Sequence, residues 1–478
     1  MDRLRQRSVN CWPLRKEAAR VEFSLERDAI SIVRGQLVLN SSADASQLHD
    51  VPLLGSSRQA WTVVALVFVF MLINFADKAV VGLASVPIMQ ELKLSHTQFG
   101  MLGSAFFLLF SASGVAVGFL ANRFSTKTIM CIMGVAWSAA LLPMTMISSF
   151  TLLVTSRVIL GAAEGPAFPV AVHAVYKWFA DAHRALPTSV VASGAAFGAG
   201  IVAPLIIWII DHFGWHAAFG TLGVVGLVWV VCWLAFVPDR PAFPSFGQES
   251  GLQKRVPYRH LLMSRTALGF YLAGFAAYWI IALNLVWLAN YLIKALGMDP
   301  AHAAWVIVLP SAMQMVLAPG VAYLSQRLSL LGLSSRVARG VVGTLCVIIA
   351  GLSMACFPFV DMGPLKIFLV GLACSIGSVI FTLGPALMGE ISPASQRGAM
   401  LGVSNSIHTL AGVCAPLVMG RIVDINANSI GGFRTGYLYV GVLVATLGVI
   451  AAMLINPEYD LRRFRIIQER AIDCNTLI

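Results

Sequence analysis

Between residues 61 and 456 the chain alternates long apolar blocks with short polar gaps. A helix needs about 20 mostly apolar residues to cross the hydrocarbon layer of a bilayer. Twelve blocks reach that length, near 61–83, 98–121, 128–148, 151–176, 188–210, 216–237, 266–292, 302–324, 338–358, 365–388, 399–423 and 434–456. A closed β-barrel would instead show ten-residue segments of alternating polarity. The pattern predicts an all-α membrane protein with twelve transmembrane helices.

The longest internal gap, 238–265, is polar, contains Pro, and divides the helices six and six. The halves repeat one another. Gly200-Ile-Val-Ala-Pro204-Leu in helix 5 returns as Gly412-Val-Cys-Ala-Pro416-Leu in helix 11. Phe119-Leu-Ala-Asn-Arg123, ending helix 2, returns as Tyr323-Leu-Ser-Gln-Arg327, ending helix 8, and Arg184 before helix 5 matches Arg397 before helix 11. Three matches in register point to a duplicated six-helix unit. The expected organisation is two pseudo-symmetric six-helix bundles, 58–237 and 266–457. A cytoplasmic linker, 238–265, joins them. A mostly disordered extension, 1–57, precedes them and a cytoplasmic tail, 458–478, follows.

Composition sharpens this picture. Of 478 residues, 58% are hydrophobic and 12% charged, against roughly 45–50% and about 25% in soluble domains. A soluble or disordered chain is excluded. The net charge of +11 does not point to nucleic acid, because the basic residues gather in alternate gaps, as at Arg123, Lys127, Lys177, Arg184, Arg336, Arg339 and Arg397. That is the positive-inside pattern, and it predicts that both chain ends lie on the cytoplasmic side. Residues 1–57 have no apolar core of the secretory type. The eight Cys are scattered without a CxxC or Cys/His cluster, so neither disulfides nor a metal site is expected.

Four ionisable residues fall near mid-membrane: Asp77, Lys78, Arg157 and Glu164. Each costs about 2.5–3.5 kcal/mol on insertion scales, an expense that usually marks function. Arg157 and Glu164 are seven apart, which places them on one face of helix 4 about 10.5 Å apart along the axis. Helical side chains lean toward the helix N-terminus, which strains a direct contact between them. The expectation is that Arg157 pairs with Asp77 across to helix 1 and leaves Glu164 partly unpaired. A carboxyl so placed can exchange protons near neutrality. On this reading Asp77 and Glu164 carry protons, Arg157 couples their state to an anion, and Lys78 contacts that anion. The alternative is a fixed ion network that only holds helices together. Phe110, Tyr278, Asn284, Gln314, Asn405 and His408 lie in cavity-capable helices and are weaker candidates for ligand contact; each can equally bond helix to helix.

The stretch Gly118-Phe-Leu-Ala-Asn122-Arg123-Phe-Ser125-Thr-Lys127 resembles the helix 2–3 signature G-x-L-A-D-R-x-G-x-K of the major facilitator superfamily. Asn122 replaces the usual Asp, which implies a weaker gate between the halves. Asn74-Phe-Ala-Asp77-Lys78, Ser104-Ala-Phe-Phe107 and Arg157-Val-Ile-Leu-Gly161-Ala-Ala-Glu164-Gly-Pro166-Ala-Phe168-Pro169 are similar to strings of its anion:cation symporter family. That family holds sialin, the vesicular glutamate transporters and bacterial galactonate, hexuronate, tartrate and phthalate permeases. The resemblance covers roughly 61–456. It implies a major facilitator fold and secondary active, proton-coupled uptake of a small organic anion by alternating access. The implied place is the bacterial inner membrane. The implied partners are the anion, the proton and the lipid bilayer, with no nucleic acid, and the implied working unit is a monomer. No cofactor is expected, since the proton gradient supplies the driving force. Departures include Lys78 where the family has Arg, Phe110 where it has Tyr, and Pro385 at a helix 10 Trp.

Two other readings are weaker. An anion exchanger of the organophosphate:phosphate kind would be expected to place a basic residue from each half at the site, and the second half offers none at mid-membrane. A receptor or membrane enzyme would need a sensory domain or a nucleophile constellation. HExxH and P-loop motifs are absent, as is GxSxG in context.

Overall fold

A computed structural model describes residues 57–120, 125–146, 149–179, 185–238, 256–393, 396–426 and 428–475. The extension expected for 1–57 lies outside them except for Ser57, as do Asn122 and Arg123.

The first half comprises α1 (Ser57–Leu83), α2 (His96–Leu120), α3 (Thr126–Leu141), α4 (Phe150–Tyr176), α5 (185–213) and α6 (215–236). The second comprises α7 (Arg265–Ala295), α8 (Pro300–Leu330), α9 (Arg336–Phe359), α10 (Pro364–Ile391), α11 (Arg397–Ile425) and α12 (Ser429–Leu454). Each expected apolar block overlaps one of these helices. Gly214 parts α5 from α6; at φ 81° it adopts a left-handed conformation that glycine reaches without steric cost. Gly165 and Pro166 interrupt α4 directly after Glu164, because proline has no N–H to continue the ladder.

A thirteenth helix, α13 (Pro457–Asn475), follows the last membrane helix. Its Asp460 carboxylate accepts from the backbone N–H groups of Arg265 (3.3 Å) and Thr266 (2.8 Å), capping α7. Glu458 accepts from Arg336 N at 3.1 Å, capping α9. Carboxylates at helix N-termini satisfy orphan donors and favour the helix dipole. The stretch expected as a tail, 458–478, is thus helical through Asn475, and the spacing of Leu461, Phe464 and Ile467 is its amphipathic signal.

The halves meet along α1 with α7, α2 with α11, and α5 with α8. The contact is tight at the end of the bundle away from Ser57 and Leu454. There, Asp424 at the end of α11 accepts from His96 N (3.1 Å), Thr97 N (2.7 Å) and Thr97 Oγ1 (2.6 Å) at the start of α2, and its Oδ1 lies 2.9 Å from His96 Nδ1. Near the middle, Ser111 Oγ of α2 bonds Thr409 Oγ1 of α11. Toward the opposite end, Gly398 and Gly402 of α11 and Gly320 of α8 face open space. The interface is therefore held closed at the end where α2 begins and α11 ends.

Candidate functional site

Two close approaches set the relative height of α2 and α4. A Cβ on Gly161 would lie 1.8 Å from the Phe106 carbonyl oxygen, and one on Gly165 would lie 2.1 Å from that of Phe110. Only glycine lets α4 press so close to α2, and that contact carries Arg157 and Glu164 toward α1.

All four ionisable residues come together here, and all are buried: Asp77, Lys78, Arg157 and Glu164 are exposed by 0, 7, 2 and 0%. Their pairing differs from the expectation. Glu164 is paired through one oxygen only: Lys78 Nζ lies 2.9 Å from its Oε2, while its Oε1 is buried without a hydrogen-bond partner among the described residues. Lys78 also donates to the Asn74 side-chain oxygen one turn back. Arg157 does not reach the Asp77 carboxylate as an ion pair; its Nη1 donates to the Asp77 main-chain oxygen at 3.2 Å.

The reason lies in helix direction. α1 and α4 cross the membrane in opposite senses, and each side chain leans toward its own helix start. Lys78 leans toward the level of Glu164. Arg157 leans the other way, toward the end to which the carbonyls of α1 point. It thus meets a main-chain oxygen, while the Asp77 carboxylate turns away. Both Asp77 carboxylate oxygens, and Arg157 Nε and Nη2, are buried without hydrogen-bond partners among the described residues.

Lys78 and Arg157 are the two charged side chains lining a cavity between the halves. Val81 of α1, Gly103, Phe106 and Phe107 of α2, and Leu285 and Val286 of α7 complete its wall. Aromatic rings surround the ammonium: the centroids of Phe75, Phe110 and Phe106 lie 4.3, 5.3 and 5.7 Å from Lys78 Nζ. The Arg157 guanidinium sits 5.4 Å from the Phe219 ring.

The other candidates scatter. Phe110 belongs to the ring around Lys78. Tyr278 comes from the second half and packs on Phe107 of the cavity wall, with ring centroids 5.8 Å apart. His408 is buried against the second half itself, its Nε2 3.2 Å from the Phe270 carbonyl oxygen and its ring 4.7 Å from the Phe270 ring. Asn284 of α7 and Gln314 of α8 are half-buried and Asn405 of α11 is exposed; no described contact joins them to Lys78 or Arg157. In the helix 2–3 signature, Gly118 falls in the last turns of α2. Lys127 Nζ donates to Leu234 O of α6 at 3.2 Å, so it ties α3 to its own half. Missed by the sequence reading were Asn74, Phe75 and Asp424. Asn74 and Phe75 stand beside the Asp-Lys pair, one helical turn back, where a lysine partner is expected.

The major facilitator superfamily model matches residues 66–377 and 271–470, together most of the chain. The protein belongs to the major facilitator superfamily. It is a membrane transport protein, not an enzyme. It is 28% identical over 430 residues to the probable galactarate/D-glucarate transporter of Bacillus subtilis (strain 168), covering 83% of this chain and 92% of that one. It is 26% identical over 405 residues to the probable sulfoacetate transporter of Cupriavidus necator, covering 80% and 91%. Its fold is similar to a crystal structure of a bacterial homolog of the human lysosomal transporter Spinster, with a TM-score of 0.70 and 16% identity over 86% of this chain and 99% of that one.

Proposed function

We propose that this member of the superfamily is a secondary active transporter that takes up small organic anions together with protons, working by alternating access. The carrying observation is the buried Lys78–Glu164 ion pair set beside Arg157 in a cavity between the halves. Relatives named for galactarate, D-glucarate, sulfoacetate and D-galactonate, all small organic anions, support the ligand class.

The chemistry follows from the contacts. While Glu164 is ionised it neutralises Lys78, and an arriving anion must compete with a covalently tethered carboxylate. A proton on Glu164 removes that competitor and leaves the ammonium to the anion. Arg157 Nε and Nη2 form the planar fork that suits a carboxylate or sulfonate. Asp77, beside both, is the second proton carrier. With one proton on Glu164, Asp77 ionised and a monoanion bound, the site holds no surplus charge, and the halves rock about it. Loss of the proton on the other side restores the Lys78–Glu164 pair and expels the anion. The basic gaps support an orientation with both chain ends on the cytoplasmic side of a bacterial inner membrane.

Proteoliposomes under an imposed pH gradient test this reading. Glu164→Gln should lose gradient-driven accumulation of the anion yet keep counterflow exchange. Unchanged accumulation by that variant refutes the coupling role.

A further inference from the structure

Two features of the cavity bear on which organic anion it takes. First, the residues lining it, apart from Lys78 and Arg157, carry no hydroxyl or amide; the Tyr278 hydroxyl belongs to a ring that packs on Phe107 and not to that lining. A polyhydroxylated acid would have to bury its hydroxyls there without partners, which is unfavourable for each one. Second, the aromatic rings do not end at Lys78. Phe107 packs on Phe106 at 5.0 Å and Phe110 at 6.1 Å, then meets Tyr278 of the other half, which meets Phe381 of α10 at 6.4 Å. The rings thus run from the ammonium across the interface between the halves, and Phe110 and Tyr278 are both only partly buried.

We infer that the preferred cargo is a monoanion with an aromatic or otherwise apolar body, its carboxylate or sulfonate at Lys78 and Arg157 and its body against Phe110 and Tyr278. This rests on the organic-anion reading above and narrows it. It separates this protein from relatives named for sugar acids. One charged head matches two cations of which Asp77 and Glu164 keep the surroundings near neutral. A planar body matches faces and edges of rings that already pack edge-to-face. Phe110 and Tyr278 are then specificity-determining residues, one from each half, so the body is gripped only when both halves close on it.

The experiment is uptake of labelled benzenesulfonate, which stays anionic and does not cross the bilayer as a neutral acid, into proteoliposomes under an inward proton gradient, with unlabelled benzenesulfonate and D-galactonate as competitors. Benzenesulfonate should compete at least about tenfold more strongly than D-galactonate, the scale of one good aromatic contact. Phe110→Asn and Tyr278→Asn should each narrow that ratio, chiefly by raising KM for benzenesulfonate. Phe110→Leu and Tyr278→Phe keep an apolar surface without adding a hydroxyl and should largely preserve the ratio, which separates a lost contact from a misfolded variant. A stronger effect of D-galactonate on the unmodified protein overturns the inference while the organic-anion reading stands. A benzenesulfonate preference unmoved by both Asn variants overturns the assignment to these rings. Uptake of neither anion, with D-galactonate also labelled, overturns both the inference and the reading beneath it.

Discussion

Removing the Lys78 ammonium leaves Glu164, which has no exposed surface, as an uncompensated buried charge. Breaking one side of such a pair typically costs about 3–5 kcal/mol. Lys78→Ala should therefore lower the thermal unfolding midpoint in detergent markedly and abolish uptake. Adding Glu164→Gln should recover most of the midpoint and none of the uptake. If the double variant is no more stable than the single one, the pair is not what holds α1 to α4. Lys78→Arg should retain some uptake, since a cation persists beside Glu164. At this scale the sequence was informative about cost and silent about pairing. Four charges at lipid depth were visible from hydropathy alone. Which carboxylate faces which base depends on the relative height of α1 and α4, and that height follows from packing between helices that are not neighbours in sequence, as where Gly161 of α4 meets Phe106 of α2.

Helix ends decide more here than helix interiors. Asp424 of α11 caps the first turn of α2 across the interface between the halves, meeting two backbone donors and the Thr97 hydroxyl. Losing an N-cap costs about 1 kcal/mol. Asp424→Ala should therefore loosen that end of the interface and shift the two-state balance by roughly fivefold to tenfold toward its opening. Maleimide labelling of a cysteine placed at the buried Ser104, in a background without the native cysteines, reads that shift as a faster rate. A rate equal to that of the parent would show that the cap is no latch. A related effect is expected at Gly161. Even Gly161→Ala brings a Cβ against a main-chain oxygen that has nowhere flexible to go, and overpacking of this kind costs about 1–3 kcal/mol. Reduced stability and uptake together are the expected outcome. Pro166 lies inside a block read as continuous, but the break at Gly214 was legible as the gap between the fifth and sixth apolar blocks. The Asp424 cap was not, because its partner lies more than 300 residues away.

Across the whole molecule, the internal repeat reappears as geometry. Phe107 of α2 and Ser311 of α8 are equivalent at the offset that aligns the ends of those helices, and Gly200 and Gly412 are equivalent at the offset that aligns α5 with α11. In space, a Cβ on Gly412 would lie 2.4 Å from the Phe107 ring, and one on Gly200 would lie 2.1 Å from Ser311 Oγ. Each half thus presents a glycine to the corresponding side chain of the other, and the two contacts are related by the pseudo-symmetry. The motif Gly-x-x-Ala-Pro, legible as a repeat in the sequence, marks two of the places where the halves touch closely. What it touches was not legible, since the partner helix does not share the motif. If these contacts permit closure of that end, Gly200→Ala should impair uptake by disfavouring the closed state while the ligand still binds. Ser311→Gly on the Gly200→Ala background removes the obstructing side chain and should restore transport. Failure of that rescue, with the double variant folded and competent to bind, would mean that the glycine serves packing within its own half and not the movement between halves.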